Sequence, residues 1–340
     1  MSTINEEVAS LATEAGIDVA RFDTAPASLA QSIRVKLRRL IRVAGKGFGA
    51  VAFTLRNREA SLYFSLSGGW GLIYEAAIIF CVRVAGAKVK VHHHSFRYLD
   101  EPFWPMNLLL AAAGRDTTHI VLGKSMAASL KQRYPSVDHV IVLSNAAFLR
   151  ENLECSKLRS TLGTVGFLAN LTTEKGLFDV LETVEFCNRM GLKIQFVLAG
   201  PFGDSILADK FMRRTHEIMN LKYIGPVYGP DKDRFFNEID ALIFPTHYRH
   251  EAEPLVVLEA LSYGRPVIAF GRGCIPDLIA GSGGFALERS VRFPEAAAKI
   301  FVDWLLSPGD FQKACEYSSK RFASLHKESS IAAGELALTF

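Results

Sequence analysis

Hydrophobic residues in this chain fall into two kinds of segment. Short runs rich in Val, Ile, Leu and Phe alternate with longer stretches in which apolar residues return every three or four positions. That alternation points to βαβ units and parallel sheets. In the first half it predicts strands at 17–22, 62–66, 89–93, 119–122 and 139–143, with helices at about 29–43, 72–84, 103–113 and 126–134. The stretch 145–163 is polar, has little periodicity and reads as a linker. The same grammar then restarts, with strands at 164–168, 194–199, 222–224, 241–244 and 267–270 and helices at 178–188, 231–238, 255–263 and 296–306. A last helical stretch begins near Asp310. The expected fold class is α/β, with two doubly wound, Rossmann-like domains over 1–150 and 160–310. A C-terminal helix over 311–340 is expected to cross back to the first domain. Sheets of this kind bind ligands at the carboxyl ends of their strands, so the expected site is a cleft between facing strand ends.

Composition agrees with two packed domains: 340 residues, 49% hydrophobic and 22% charged. No run of about 18 uncharged apolar residues suggests a membrane span. The opening residues lack the apolar stretch of a secretory signal, so a cytoplasmic protein is expected. Five scattered cysteines (Cys81, Cys155, Cys187, Cys274, Cys315) form no Cys-x-x-Cys pair and read as reduced thiols. The net charge of +4 hides an asymmetry, +7 over residues 1–150 and −3 over 151–340. Within the first half, 28–44 reads as a basic amphipathic helix. Leu29, Ile33, Leu37, Leu40 and Ile41 share one face, and Arg34, Lys36, Arg38, Arg39 and Arg42 lie elsewhere. Such a helix suits an anionic membrane surface, at the inner face of the membrane, or simply packs on its own sheet. Nucleic acid is not an expected partner: the basic helix lacks interleaved aromatics and the second half is acidic.

The chemistry concentrates in the second half. A strand ending at Phe244-Pro245 leads into a polar loop with Glu251, then a helix starting near Pro254 with Glu259 on its second turn. Proline suits a first helical turn, and amides such as those of Leu255 and Val256 at that helix start form a ready anion site. Eight residues along a straight helix would put the two carboxylates roughly 12 Å apart, so the loop must bend to bring them to one mouth. Upstream, the strand 164–168 enters a loop with Asn170 and then Lys175 at a helix mouth, a point charge suited to phosphate. Gly200 ends another strand, and Tyr223 lies in a strand that stops at Gly225. Read without context, each of these is an ordinary turn or a solvated helix face.

Together and in this order, the segments resemble the Glu-x7-Glu signature and its companions in retaining GT-B glycosyltransferases, above all glycosyltransferase family 4. The resemblance is good over 160–290 and moderate over 60–150. It implies a transferase that moves a sugar from a nucleoside diphosphate donor to a hydroxyl of a glycan or lipid-linked acceptor, in surface polysaccharide biosynthesis. It assigns Glu259 to the ribose hydroxyls, Glu251 to the donor sugar, Lys175 to the β-phosphate and Tyr223 to the side of the base. Asn170 stands where the family often has arginine. His94, which ends the run His92-His93-His94, would lie against the donor sugar, making Glu251, His94 and Lys175 the catalytic set. Strand alternation sends His93 to the face opposite His92 and His94, which argues against a metal site there. No metal or other cofactor is expected, because Lys175 and the helix amides would carry the diphosphate charge. The turn Gly68-Gly69-Trp70 would meet the acceptor. Gly123-Lys124-Ser125 is not a phosphate loop, since the required upstream glycine position holds Thr118. Two rival readings are a sugar-nucleotide epimerase and a degenerate module that binds donor, or a partner transferase, without turnover.

The family usually opens with a hydrophobic strand, a glycine-rich loop and a helix. Here Val8, Leu11 and Ala12 follow helical spacing, Asn5 could cap and Gly16 would stop the helix. The first sheet is therefore expected to lack its opening strand, leaving an apolar groove or an unpaired strand edge. Either an upstream start or a partner would supply the missing surface.

Overall fold

The computed structural model describes residues 2–22, 33–57, 59–150 and 159–340. It divides into two compact units: residues up to 144 together with 329–340, and residues 145–328.

The first unit opens with helix α1 (Ser2–Glu14), followed by α2 (Ile33–Arg56). Strands β1 (Ser61–Leu66), β2 (Lys88–His93), β3 (Thr118–Val121) and β4 (His139–Val142) form a parallel sheet in the order β1-β2-β3-β4. Between them run α3 (Leu72–Val84), α4 (Arg97–Asp100), α5 (Trp104–Ala113) and α6 (Lys124–Arg133). Buried Leu72, Ala76, Ile79 and Val82 recur at helical spacing and hold α3 on the sheet. Serine and asparagine tie α1 to β1: Ser65 Oγ donates to Asn5 Oδ1 at 2.5 Å.

One expected strand is absent. Residues 17–22 have the alternation of a strand but join no sheet. A strand is stable only with a neighbour to take its backbone hydrogen bonds, and the nearest sheet edge, β1, lies across a cavity. Residues 2–14 are helical, as their spacing predicts. The basic helix expected over 28–44 lies outside the described residues at 28–32; α2 runs from Ile33. Cys155 and the linker residues 151–158 also lie outside them.

The second unit is a six-stranded parallel sheet in the order β10-β9-β8-β5-β6-β7. Its elements are β5 (Thr164–Leu168), α7 (Leu177–Arg189), β6 (Gln195–Ala199), α8 (Ser205–Thr215) and β7 (Leu221–Tyr223), then α9 (Pro230–Glu238), β8 (Ala241–Phe244) and α10 (Leu255–Ser262). β9 (Val267–Phe270), α11 (Ile275–Ile279), β10 (Phe285–Leu287) and α12 (Phe293–Leu306) complete it. The order reverses at β5, which has β6 on one side and β8 on the other. Strands β8 and β9 are buried along their whole length, as a parallel sheet covered on both faces requires. Helix α13 (Pro308–Ala337) follows, and its last residues count with the first unit. There Lys90 Nζ donates to Thr339 O at 2.8 Å and lies 4.2 Å from the Phe340 ring centre.

Candidate active site

In the second unit the sequence-singled residues gather at the carboxyl ends of β5, β6 and β8, on both sides of the point where strand order reverses. That is where doubly wound sheets hold ligands. Gly176 caps α7 at φ +83°, and a Cβ there would fall 2.1 Å from Pro245 O. Only glycine lets the start of α7 sit against the end of β8, and this brings Lys175 to the loop that carries Glu251.

Lys175 forms an ion pair with Glu251 Oε2. The same oxygen accepts from Thr246 Oγ1 at 3.1 Å, and Glu251 is buried. The Lys175 ammonium also lies 4.8 Å from the Tyr248 ring centre and 5.6 Å from that of Phe244, favourable placements for a cation. Pro254 is the N-cap of α10 rather than its first residue. The first-turn amides of Leu255 and Val256 have no partner within the helix.

Glu259, on the second turn, pairs with Lys232 of α9. Burial raises its pKa above the ordinary carboxylate range, and Lys232 opposes that shift. Its second oxygen, Oε2, is buried without a hydrogen bond. Each glutamate thus has its own lysine partner.

Gly200 has φ +124°, and a Cβ there would meet Ala169 O at 1.8 Å. The Tyr223 hydroxyl donates to Gly200 O at 2.9 Å, fixing the ring beside the end of β6. Asn170 is exposed just past β5.

The first unit carries the other candidates. His94 follows β2, is half-buried and lies against His92 with ring centres 4.1 Å apart and planes tilted by 42°. Burial lowers its pKa to about 4, so the ring is neutral at pH 7. His93 points to the opposite face: its Nδ1 lies 3.0 Å from Tyr98 Oη and its Nε2 lies 3.0 Å from His119 Nδ1. Gly68 and Gly69 sit in the turn after β1, where a Cβ on Gly68 would fall 2.5 Å from Ser95 Oγ. Trp70 is 60% exposed, edge-on to Phe103 at 5.5 Å and to the equally open Trp104 at 6.1 Å.

Sequence reasoning missed several partners. Lys232 and His119 sit far along the chain from the residues they contact, Thr246 only five residues before Glu251, and no local pattern marks any of them. Lys232 lies within the one Asp-x-Asp triplet of the sequence, Asp231-Lys232-Asp233, which the expectation of a metal-free site overlooked. Asp231 there pairs with Arg234 at 2.9 Å, and Asp233 accepts from Tyr263 Oη at 2.7 Å.

Two parallel-sheet units, the second with an ammonium and a helix start at its strand ends, give an α/β fold of the GT-B class. The family model of glycosyl transferases group 1 matches residues 150–322, just over half of the chain. The chain belongs to the group 1 glycosyl transferases. No curated protein matches it. Among solved structures it is similar to TarM of S. aureus, at 16% identity and a TM-score of 0.67 over 86% of this chain and 58% of TarM. It is also similar to sucrose-phosphate synthase from Thermosynechococcus elongatus, at 13% identity and a TM-score of 0.71 over 97% and 90%. HepE from Anabaena, solved with UDP, gives 17% identity and a TM-score of 0.64 over 94% and 86%. At these identities the likeness establishes the fold.

Proposed function

We propose that this chain is a retaining glycosyltransferase of family 4. It moves a sugar from a nucleoside diphosphate donor to a hydroxyl of a glycan or lipid-linked acceptor, in surface polysaccharide biosynthesis on the cytoplasmic side of the membrane. The observation that carries the reading is the Lys175–Glu251 ion pair beside the start of α10, at the strand-order reversal of the second unit. An ammonium and a helix N-terminus aimed at one place suit a diphosphate. The family match and the UDP held by HepE support the choice of ligand.

In this reading Lys175 takes the β-phosphate and the Leu255 and Val256 amides take the remaining phosphate charge. Glu251 meets the donor sugar. Glu259 accepts from the ribose, its unsatisfied Oε2 gaining the hydrogen bond it lacks. Gly200 and Tyr223 flank the base, and Asn170 sits at the phosphate side. The acceptor meets Gly68, Gly69 and the exposed Trp70 of the first unit, with neutral His94 against the donor sugar. The bond from the anomeric carbon to the diphosphate breaks, and the acceptor oxygen bonds to that carbon on the same face. The acceptor proton passes to the leaving phosphate oxygen. Catalysis is then mainly positioning and charge stabilisation, with no protein nucleophile and no metal.

The test is a thermal-shift screen of nucleotide sugars followed by a turnover assay. A donor at 100 times its Kd adds about 2.7 kcal/mol of stability. Nucleoside diphosphate release that depends on added acceptor supports the transferase. Acceptor-independent release points to an epimerase, and tight binding without release to a module that has lost turnover.

A further inference from the structure

Lys232 has no part in the donor contacts assigned above, yet it is built into the site. It lies in the first turn of α9, which starts at Gly229 with φ +51°, and its backbone N–H donates to Gly229 O at 3.0 Å. Two consecutive residues of that turn reach two residues one turn apart on α10. The Lys232 ammonium pairs with Glu259 Oε1, and Asp233 Oδ1 accepts at 2.7 Å from Oη of Tyr263, the C-cap of α10. The Tyr263 ring stacks on Phe236 of α9, with centres 5.2 Å apart and planes 18° apart. Residues four apart on a helix share a face, so α9 grips that face of α10 at two points and holds Lys232 against Glu259. Glu259 needs that ammonium, because its side chain is only 16% exposed. Burial favours its protonated form, Asp233 adds to this, and Lys232 opposes both.

We propose, resting on the donor-site reading above, that Lys232 is a positioning residue for the donor. It keeps the Glu259 carboxylate in place as an acceptor for both ribose hydroxyls, and thereby sets a preference for ribonucleotides over 2′-deoxyribonucleotides. A protonated carboxyl spends one oxygen on a donor, whereas an ionised one accepts on both. Lys232 occupies one lone pair of Oε1, which leaves the other lone pair and the whole of Oε2, an oxygen with no hydrogen bond. Those acceptors match the two adjacent hydroxyls of a ribose, both of which donate. A site built to bond a hydroxyl discriminates against the analogue that lacks it. Without Lys232 the carboxylate is an unpaired buried charge, which takes up a proton or turns away, and either change removes the acceptor of the 2′-hydroxyl.

The test is calorimetric titration of UDP, ADP and GDP, each beside its 2′-deoxy counterpart, into the full chain and its variants. The wild-type chain should bind its best ribonucleotide at least tenfold more tightly than the 2′-deoxy form. Lys232→Met should bring that ratio below about threefold, and Lys232→Arg should retain it. If Lys232→Met fails to fold, Glu259→Gln and the double variant Lys232→Met/Glu259→Gln decide, since a lysine that acts only through Glu259 gives these two equal affinities. A wild-type ratio below threefold, a ratio unchanged in Lys232→Met, or weaker binding by the double variant than by Glu259→Gln overturns the proposal. The last two results would put Lys232 on the diphosphate or outside the site. Failure of all three ribonucleotides to bind the wild-type chain overturns the donor-site reading itself, and this role with it.

Discussion

The two units share one grammar and spend their polar groups differently. In the second, a six-stranded sheet reverses order at β5, and charges stand in opposite-sign pairs at the strand ends, Lys175 with Glu251 and Lys232 with Glu259. In the first, a four-stranded sheet ends at β1, and its buried titratable groups include a cluster of histidines. His92, His93 and His119 are buried and His94 half-buried, whereas no histidine described in the second unit is buried. Paired charges keep a site ready for an anionic ligand. Buried neutral imidazoles hold a fold together only while they stay neutral.

Acid should therefore separate the units. Burial pushes the pKa values of His94 and His119 down to about 4 and those of His92 and His93 well below the ordinary 6.5. Between pH 6.5 and 4 the unfolded chain binds more protons than the folded one. Stability from these groups is complete above 6.5 and is lost as pH falls, on the order of 5 kcal/mol by pH 4. Hydrogen exchange at pH 7 and 4.5 should show the first unit losing protection before the second. Simultaneous loss, or earlier loss in the second unit, would contradict this.

Backbone substitution gives a smaller contrast. Gly176 and Gly16 have nearly the same φ, +83° and +82°, but only Gly176 has an obstacle, Pro245 O. Gly176→Ala should cost about 3 kcal/mol and Gly16→Ala about 1 kcal/mol. Urea unfolding measures both, and equal costs would mean that α7 and β8 do not need their close approach.

A weaker effect concerns the basic residues Arg34–Arg42. Among the described residues no helix is long and apolar enough to cross a membrane. Each basic residue near an anionic surface contributes about 1 kcal/mol, and salt screens it. Flotation with anionic vesicles should succeed at low salt and fail at high salt; no preference for anionic lipid would remove the membrane from the account. The smallest expected effect is none. Transfer should survive EDTA, and a loss restored by magnesium or manganese would direct attention to Asp231 and Asp233.

Much of this architecture was legible in the residues. The bounds of β5, β8, β9 and α3 follow directly from hydrophobic runs and helical spacing, because those elements are buried on a face or throughout. Helix α8 escaped notice because Phe211 is its only buried residue, which leaves no stripe to see. Strand β10 has three residues at a sheet edge, too short to carry a period. Residues 17–22 failed in the other direction, since their alternation describes a strand's preference but not the neighbour it needs. Glu251 and Lys175 were visible because each stands at a strand-to-helix junction. Their ion pair with each other, like the pairing of Glu259 with Lys232, depends on which elements become neighbours.

The central claim is that the second unit holds a nucleoside diphosphate through Lys175, Glu251, Glu259 and the start of α10. Calorimetric titration of UDP into the full chain and into Lys175→Ala and Glu259→Ala tests it most directly. A lost charge-assisted contact is worth about 1.5–3 kcal/mol, so each variant should bind roughly ten- to hundredfold more weakly with its fold intact. Unchanged UDP affinity in both folded variants would contradict the account.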